Sequence, residues 1–184
     1  MANKPYFPAH AMKSDEPILV FEPSKSGPLP RLGRSTTLAL RAHSLFPADF
    51  LSAYIRGRLG LSREVTFSPG FRCVAGNLRC AGQAFLCDTF FVDYAPVHIG
   101  HGVGFSYRNM VITSTHVPGN MDRIEARPVI FEDHCWITSG CIILGGVTIG
   151  AHSVIGAGSV VTRSIPPGVF AAGNPCRPIR EIKG

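Results

Sequence analysis

Long apolar runs are missing from this 184-residue chain. No stretch reaches the roughly 18 apolar residues that a membrane-spanning helix requires. Charged residues make up only 16% of the sequence, whereas 20 Gly and 15 Pro are present, and this composition argues against a helical bundle. We therefore expect a turn-rich β protein without an integral membrane segment. Because no apolar leader follows the early charges, we also expect a cytoplasmic protein.

Paired cysteines and lysines are also scarce. The six cysteines include no C-x-x-C pair, so a cysteine-based zinc site is not expected. Only four of the 18 basic residues are Lys, and the 14 Arg are scattered along a chain of net charge +6. No motif interleaves them with aromatic residues, so we predict no nucleic-acid partner. Arginine favours multidentate contact with phosphate or carboxylate, so an anionic small molecule or a solvated surface explains the charge better.

One stretch of the chain repeats every six residues. The large apolar members of the repeat are Phe131, Ile137, Ile143, Ile149, Ile155 and Val161. A small or modest residue stands two places before each of them, and glycines fill positions between. This period fits neither the 3.6 residues of a helix turn nor the alternation of a half-buried strand. It is typical of a β-helix built from hexapeptides, in which three short strands and three turns form each 18-residue coil.

The repeat also organises the rest of the chain. Asp93, Ile99, Phe105 and Val111 are again six apart, but the next step, to Phe131, is 20 residues. We therefore predict a β-helix domain over residues 61–166 with an inserted loop over 117–127, which contains the turn residues Pro118, Gly119 and Asn120. Such insertions often carry function in solenoids. Residues 167–184 are predicted as a C-terminal tail that returns as a short strand or arm.

The first 60 residues have a different character. We predict a proline-rich extended arm over residues 1–35, in which the apolar run from Ile18 to Phe21 packs as a strand. Residues 36–59 are predicted as two short helices divided by Pro47, with Leu38, Ala42 and Leu45 on one face. A membrane-surface role for this basic segment is an alternative to simple packing across the end of the coil.

The repeat region resembles a known family. The similarity covers residues 87–182 and is carried by Cys135-Trp136-Ile137, Gly146 to Gly150, Val160 to Pro166 and Ala172 to Ile182. These segments resemble the hexapeptide-repeat acyltransferases, and most closely their galactoside, maltose, nodulation-factor and exopolysaccharide O-acetyltransferase branch. The resemblance implies an all-β, left-handed parallel β-helix, a homotrimer, and acetyl-coenzyme A as the co-substrate.

His116 is the candidate catalytic residue. It stands just before the inserted loop, where the family has its general base, and the 18 residues from Ile99 to His116 align with family members without a gap. An alcohol is a weak nucleophile at neutral pH, and a neutral imidazole can take its proton. The resemblance thus implies acetyl transfer to a hydroxyl of a sugar or saccharide-containing acceptor. An antibiotic or other xenobiotic acceptor, and a non-catalytic β-helix scaffold, are the alternatives.

The resemblance also implies a donor site. Trp136, the only tryptophan, matches the residue that flanks the pantetheine channel at the subunit interface in the family. The other predicted contacts of the cofactor are Ser139, Ala157, Thr162, Arg163, Arg177 and Arg180. For Trp136 the alternative is an outward residue that covers apolar surface, and for each arginine it is a solvated surface.

The acceptor site departs from the galactoside-type pattern. That pattern has Asn at the position of Leu86 and Asp at that of Tyr94, so a simple galactoside is in doubt as the acceptor. We predict Asp93, Tyr94 and Asp88 as acceptor-binding residues, with the alternative that Asp93 only orders a turn of the coil. A saccharide of polysaccharide or nodulation-factor biosynthesis fits this pattern as well as a xenobiotic alcohol does.

Histidines elsewhere raise the question of a metal. His134 and His152 are one coil apart and should stack along one edge, and β-helix carbonic anhydrases bind zinc through three histidines. Both residues fall at turn positions where the resembled family often has Asn, and His98 and His101 have no evident third ligand. We therefore predict no metal site.

Overall fold

In the computed structural model, residues 17–182 are described. Residues 1–16 of the predicted arm and the last two residues of the tail lie outside this range. The coil begins at Val65, and its strands form three faces that stack in parallel. Across residues 17–182, no helix is both long and apolar enough to cross a bilayer.

The three faces are named here A, B and C in the order in which the chain visits them. Face A contains β2 (Val65–Thr66), β5 (Ala84–Phe85), β8 (Val103–Phe105), β13 (Trp136–Ile137), β16 (Val154–Ile155), β18 (Val169–Gly173) and β19 (Cys176–Glu181). Face B contains β3 (Arg72–Cys73), β6 (Phe90–Val92), β9 (Met110–Ile112), β14 (Ile142–Leu144) and β17 (Val160–Val161). Face C contains β4 (Leu78–Cys80), β7 (Val97–Ile99), β12 (Val129–Phe131) and β15 (Thr148–Ile149).

The pairing register confirms the predicted coil. Ile137 pairs with Ile155, and Ile143 pairs with Val161, each 18 residues further along the chain. The inward residues are fully buried, so each large apolar side chain of the hexad packs on its counterpart in the next coil. The predicted fold class, a parallel β-helix of hexapeptide coils preceded by a helical segment, is confirmed.

The core changes along the coil from aromatic to aliphatic. Phe71, Phe91, Phe105 and Phe131 follow one another at ring-centroid distances of 6.0, 5.7 and 4.9 Å, and the aliphatic hexad residues continue the column. Cys135 and Cys141 fill small inward positions, and all six cysteines are free thiols. Burial raises the pKa of the Cys135 thiol to about 12, so it acts as a small apolar side chain.

Two helices cover the first coil. They are α2 (Arg34–Leu45) and α3 (Asp49–Leu59), and the break between them falls at Pro47 as predicted. The apolar face predicted for α2 was wrong, because Leu38 and Leu45 are exposed and the buried residues of the helix are Thr36, Ala39, Leu40 and His43. The helix is rotated in this way because Leu40 joins the core cluster that the coil provides.

The inserted segment is an ordered hairpin rather than a loop. Its strands are β10 (Ser114–Val117) and β11 (Asn120–Ala126), and they pair in antiparallel around Pro118 and Gly119. The prediction identified the insertion and two of its turn residues, Pro118 and Gly119, but missed the strands, the second of which begins at the predicted turn residue Asn120. The strands were missed because β11 also pairs, on its other side, with β1 (Leu19–Phe21), a partner that is distant in the sequence. The short helix α1 (Pro23–Ser26), which follows β1, was also not predicted.

The C-terminal segment continues the coil before it turns back. β18 pairs in parallel with β16, and β19 then returns antiparallel to β18. Parallel pairing thus extends to Ala171, beyond residue 166, where the sequence prediction ended the coil. The returning strand carries Arg177 and Arg180 on the outside of face A.

Candidate active site

His116 lies on β10, exposed to solvent, and its neighbour across the hairpin is Ile124. Its ring nitrogen Nδ1 is 2.7 Å from the carbonyl oxygen of Met121. Because a carbonyl can only accept a hydrogen bond, Nδ1 carries the proton and donates it to Met121. In the neutral ring Nε2 is then the nitrogen with a free lone pair. The hairpin thus carries a histidine whose Nε2 can accept a proton when the ring is neutral.

The hairpin is anchored at its base by Thr113. The hydroxyl of Thr113 donates to the carbonyl of Val92 at 2.9 Å and accepts from the backbone N–H of Ala95 at 3.0 Å. The backbone N–H of Arg127 donates to the Thr113 carbonyl at 2.7 Å, which closes the insertion. Thr113 is 1% exposed. The two chain ends of the hairpin are therefore fixed to the coil by buried hydrogen bonds.

The tip of the hairpin is held by the N-terminal arm. The carboxylate of Asp122 accepts hydrogen bonds from the backbone N–H of Ser24, at 3.1 Å, and from the Ser24 hydroxyl. These bonds hold the pKa of the Asp122 carboxyl below its ordinary value. Asp122 directly follows Met121, whose carbonyl orients His116. Sequence analysis missed both Ser24 and Asp122.

Two predicted donor residues are stacked on the edge between faces A and B. Ser139 follows β13, and Ala157 occupies the equivalent turn one coil later, after β16. The backbone N–H of Gly158 donates to the Ser139 carbonyl at 3.0 Å, and that of Gly140 donates to the Tyr107 carbonyl at 2.9 Å. Ser139 and Ala157 are both exposed, so this edge is open to a ligand.

Trp136 lies on the outside of face A. It pairs with Gly104 and Val154 in the neighbouring coils, and its ring N–H donates to the Ser106 hydroxyl at 3.2 Å. The side chain is 53% exposed, which is costly for so large an apolar surface unless a ligand or another copy of the chain covers it. Both predicted roles, a channel wall and an apolar cover, agree with this position.

The remaining predicted donor residues are exposed on the last coils. Thr162 and Arg163 follow β17, while Arg177 and Arg180 lie on β19. The Arg180 guanidinium lies 5.3 Å from the centre of the Phe170 ring, and the Arg177 side chain donates to the carbonyl of Cys176 at 2.8 Å. Among residues 17–182, no carboxylate lies within ion-pairing distance of these three guanidinium groups. They are thus available to an anionic ligand.

The predicted acceptor role of Asp93 does not agree with the structure. The side chain is fully buried, and its carboxylate accepts backbone N–H bonds from Val74, Ala75 and Asn77 at 2.8, 2.9 and 2.6 Å. A carboxylate so enclosed has no access to an acceptor hydroxyl. The alternative role is therefore supported, in which Asp93 orders a turn of the coil.

Tyr94 and Asp88 lie on different edges. Tyr94 is half-buried at the edge between faces B and C, where the hairpin also emerges, with its ring 6.1 Å from that of Phe21. Asp88 lies at the edge between faces A and B and accepts the backbone N–H of Arg108 at 2.6 Å. The structure does not bring the three predicted acceptor residues together.

The third edge, between faces C and A, carries a column of histidines. The rings of His134 and His152 stack with centroids 5.0 Å apart, as predicted, and His101 meets His134 edge-on at 5.6 Å. The side chains of Glu132 and Asp133 beside them accept backbone N–H bonds from Ala151 and His101. Within residues 17–182, no group of three or more His, Cys, Asp or Glu side chains is placed to hold a metal ion.

Within one chain, the candidate base and the stacked donor residues lie apart. His116 projects from the edge between faces B and C, whereas Ser139 and Ala157 lie on the edge between faces A and B. Face B separates these two edges. In one chain the candidate base and the candidate donor residues are therefore not joined in a single site.

Comparison with known proteins agrees with this fold. A profile of the family "Bacterial transferase hexapeptide (six repeats)" matches residues 128–163. A Saccharomyces cerevisiae protein that carries a provisional acetyltransferase name is 37% identical over an alignment of 162 positions that covers 83% of each chain. The chain belongs to the hexapeptide-repeat acetyltransferases. Several other curated relatives of the family match over about half of their own length or less.

The similarity to solved structures of the family extends over most of the chain. The maltose O-acetyltransferase of Clostridium difficile 630 has a TM-score of 0.72 and 31% identity over 82% of this chain and 86% of that one. A hexapeptide-repeat acetyltransferase of Vibrio cholerae, solved with acetyl-coenzyme A, has a TM-score of 0.69 and 27% identity over 82% and 87%. The common structure is the left-handed β-helix of the family.

Proposed function

We propose that this protein transfers an acetyl group from acetyl-coenzyme A to a hydroxyl of a saccharide acceptor, with His116 as the general base. The observation that carries the proposal is the hydrogen bond from His116 Nδ1 to the Met121 carbonyl. It leaves Nε2 free to take a proton, on an exposed hairpin that an acceptor can reach. The acetyl-coenzyme A bound to the Vibrio relative supports the choice of donor.

The proposed reaction needs only one base. The acceptor hydroxyl gives its proton to Nε2 of His116 while its oxygen forms a bond to the thioester carbon. The carbon–sulfur bond then breaks, and the imidazolium returns the proton to the leaving sulfur of coenzyme A. Trp136, Ser139, Ala157, Thr162, Arg163, Arg177 and Arg180 are proposed to hold the donor.

We further propose that the working site forms between copies in a homotrimer. His116 and the stacked donor residues lie on different edges of one chain, and exposed Trp136 needs a covering surface. A neighbour's edge between faces A and B would bring the donor to His116. This arrangement explains why neither edge forms a closed site alone.

Replacement of His116 tests the base. His116→Ala should lower kcat by about 10²–10⁴-fold, the usual contribution of general base catalysis. Affinity for acetyl-coenzyme A and the melting temperature should stay near the wild-type values, because the imidazole is exposed and its hydrogen bond is to the Met121 carbonyl. Release of the coenzyme A thiol, assayed over sugars, glycans and antibiotics, gives the rate and identifies the acceptor. Wild-type turnover in a folded His116→Ala protein would end the assignment.

A mixing experiment tests the shared site. His116→Ala removes the base, and Ala157→Trp fills the donor edge, so each variant alone should be inactive. If the site uses residues from two copies, refolding the two variants together should restore activity. Some interfaces of the mixed trimers would then combine an intact His116 with an intact donor edge. A mixture that stays inactive despite exchange of subunits would place the whole site in one chain.

A further inference from the structure

A groove between α2 and the outside of face B has no place in the proposed chemistry so far. It consists of two adjoining hollows of about 550 and 470 Å³ that share Ser44, Arg72 and Phe90 as lining residues. One hollow also reaches Arg31 and Arg41, and the other reaches Asp88 and Arg108. We call this surface the arginine groove.

The charge of the arginine groove is unbalanced. Arg31, Arg41, Arg72 and Arg108 line it, while Asp88 is the single carboxylate among its lining residues. Within residues 17–182, no carboxylate pairs with any of these four guanidinium groups. Four cations along one concave surface attract an anion, and the low-dielectric walls of a groove strengthen that attraction.

Arg72 is held in position for such contact. Its guanidinium lies over the ring of Phe90, 4.5 Å from the centroid. Stacking on an aromatic face leaves the edge of the guanidinium, with its N–H donors, free for a planar acid group. The carboxylate of Asp88, which accepts the backbone N–H of Arg108 at 2.6 Å, retains lone pairs for a hydroxyl group. Acid and hydroxyl contacts together are typical of a charged sugar.

The groove is connected to the candidate base through β9. Met110, which lines the groove, begins this strand, and His116 follows six residues later. Six extended residues span about 20 Å at most. The groove and His116 of the same chain therefore lie within the length of a short oligosaccharide.

We propose that the arginine groove binds an acidic saccharide and so selects an anionic oligosaccharide as the acceptor. The inference about binding depends only on the groove, and its use as an acceptor subsite depends on the proposed acetyl transfer. The structure favours an acid group held by Arg72 and Arg108, with Asp88 on a neighbouring hydroxyl. Carboxylate and phosphate groups share this chemistry.

Calorimetry without acetyl-coenzyme A tests the binding. The probes are trigalacturonate for carboxylate, glucose 6-phosphate for phosphate, and maltotriose as the neutral reference. At least one acidic probe should bind about tenfold more tightly than maltotriose, the effect of one charge-assisted contact, and added salt should weaken it. The tighter of the two acids identifies the class of acid group. Equal affinity for acidic and neutral probes would overturn the proposal.

Paired variants test the location. Arg72→Ala combined with Arg108→Ala should remove the preference for acid, and Arg41→Ala alone, on the surface of α2, should reduce it. Arg79→Ala is the matched control, because Arg79 is exposed in β4 on face C. It should retain the preference. A loss as large in Arg79→Ala, or a loss of acetyl-coenzyme A affinity in the double variant, would contradict an acceptor groove.

The two proposals fail differently. If acidic probes bind but no acceptor is acetylated, the groove remains and the proposed activity is wrong. If neutral sugars are acetylated by a His116-dependent reaction while acidic probes do not bind, the activity remains and the groove is wrong. If both hold, the double variant should raise KM for the acidic acceptor with little change in kcat.

Discussion

The coil and the hairpin inserted in it are both β structure, but their stabilising contacts lie in different places. In the coil, inward side chains such as Ile137 and Ile143 are fully buried and stacked. In the hairpin strand Asn120–Ala126 only Ile124 and Ala126 are buried. The hairpin depends instead on hydrogen bonds to β1 and Ser24 at exposed positions. Stability thus resides mainly in the coil. The candidate base lies on the hairpin, which can be altered without unfolding the coil.

The largest expected effect concerns the coil. Ile137→Ala should lower the free energy of unfolding by about 2–5 kcal/mol, because the stacked column cannot collapse around the cavity. Trp136→Ala, at the adjacent outward position, is the control, and it should leave stability nearly unchanged while weakening acetyl-coenzyme A binding. Denaturant unfolding measures the stability of both variants. Equal destabilisation by the two substitutions would mean that the inward and outward positions of face A do not differ as described.

Asp93 provides the second test of the coil. Asp93→Ala would leave three backbone N–H groups without their acceptor in a buried turn. The expected loss is at least about 1–3 kcal/mol, the usual penalty for an unsatisfied buried group. Asp93→Asn keeps one carbonyl oxygen and should lose less. If either folded variant instead raised KM for the acceptor at unchanged melting temperature, Asp93 would be returned to the acceptor site.

These two regions also differ in how well the sequence predicted them. The coil was predictable because the inward positions must be large and apolar at every sixth residue, so Ile137, Ile143 and Ile149 specify the register by themselves. The two helices were predictable because Pro47 breaks a helical pattern. The hairpin was located by a gap in the repeat, but its strands depend on a partner, β1, whose apolar run contains no information about where it pairs.

The side-chain contacts of the hairpin were beyond prediction for the same reason. Ser24 and Asp122 are 98 residues apart, and no local pattern connects them. The arginine groove likewise joins α2 to face B, two segments whose relative placement is a tertiary property. His116 was chosen as the candidate base because its place, just before the predicted loop 117–127, matches the resembled family, and the structure puts it on the first strand of the hairpin. The carbonyl that fixes its tautomer became visible only in the structure.

A smaller effect is expected when the hairpin is loosened. Asp122→Ala removes both bonds to Ser24 and frees the segment that carries the Met121 carbonyl. We expect kcat to fall about 3–10-fold, in line with the net contribution of one hydrogen bond, at nearly unchanged melting temperature. Ser24→Ala should show part of this effect, and Asp122→Asn should recover part of it. A loss of melting temperature comparable to that of Ile137→Ala would assign Asp122 a structural role instead.

The smallest expected effect is the response of the helical layer and the hairpin to mild acid. His43 is 3% exposed, lies edge-on to Phe67 at 5.3 Å, and meets the Ser52 hydroxyl at 3.0 Å. Burial lowers the pKa of His43 below its ordinary value of 6.5. As the pH falls below about 6.5, the unfolded chain binds a proton at His43 more readily than the folded chain does, so stability decreases.

The Asp122 carboxyl, with its pKa held below 3.8, stays ionised throughout that pH range, and its bonds to Ser24 persist. Once rates are corrected for the intrinsic slowing of amide exchange in acid, protection from hydrogen exchange should therefore decrease in α2 and α3, but not in β11, from about pH 8 to about pH 5. His43→Gln, which keeps a hydrogen-bonding group near Ser52, should flatten the response of the helices. An equal loss of protection in β11 would show that the hairpin depends on the helical layer rather than on Ser24 and β1.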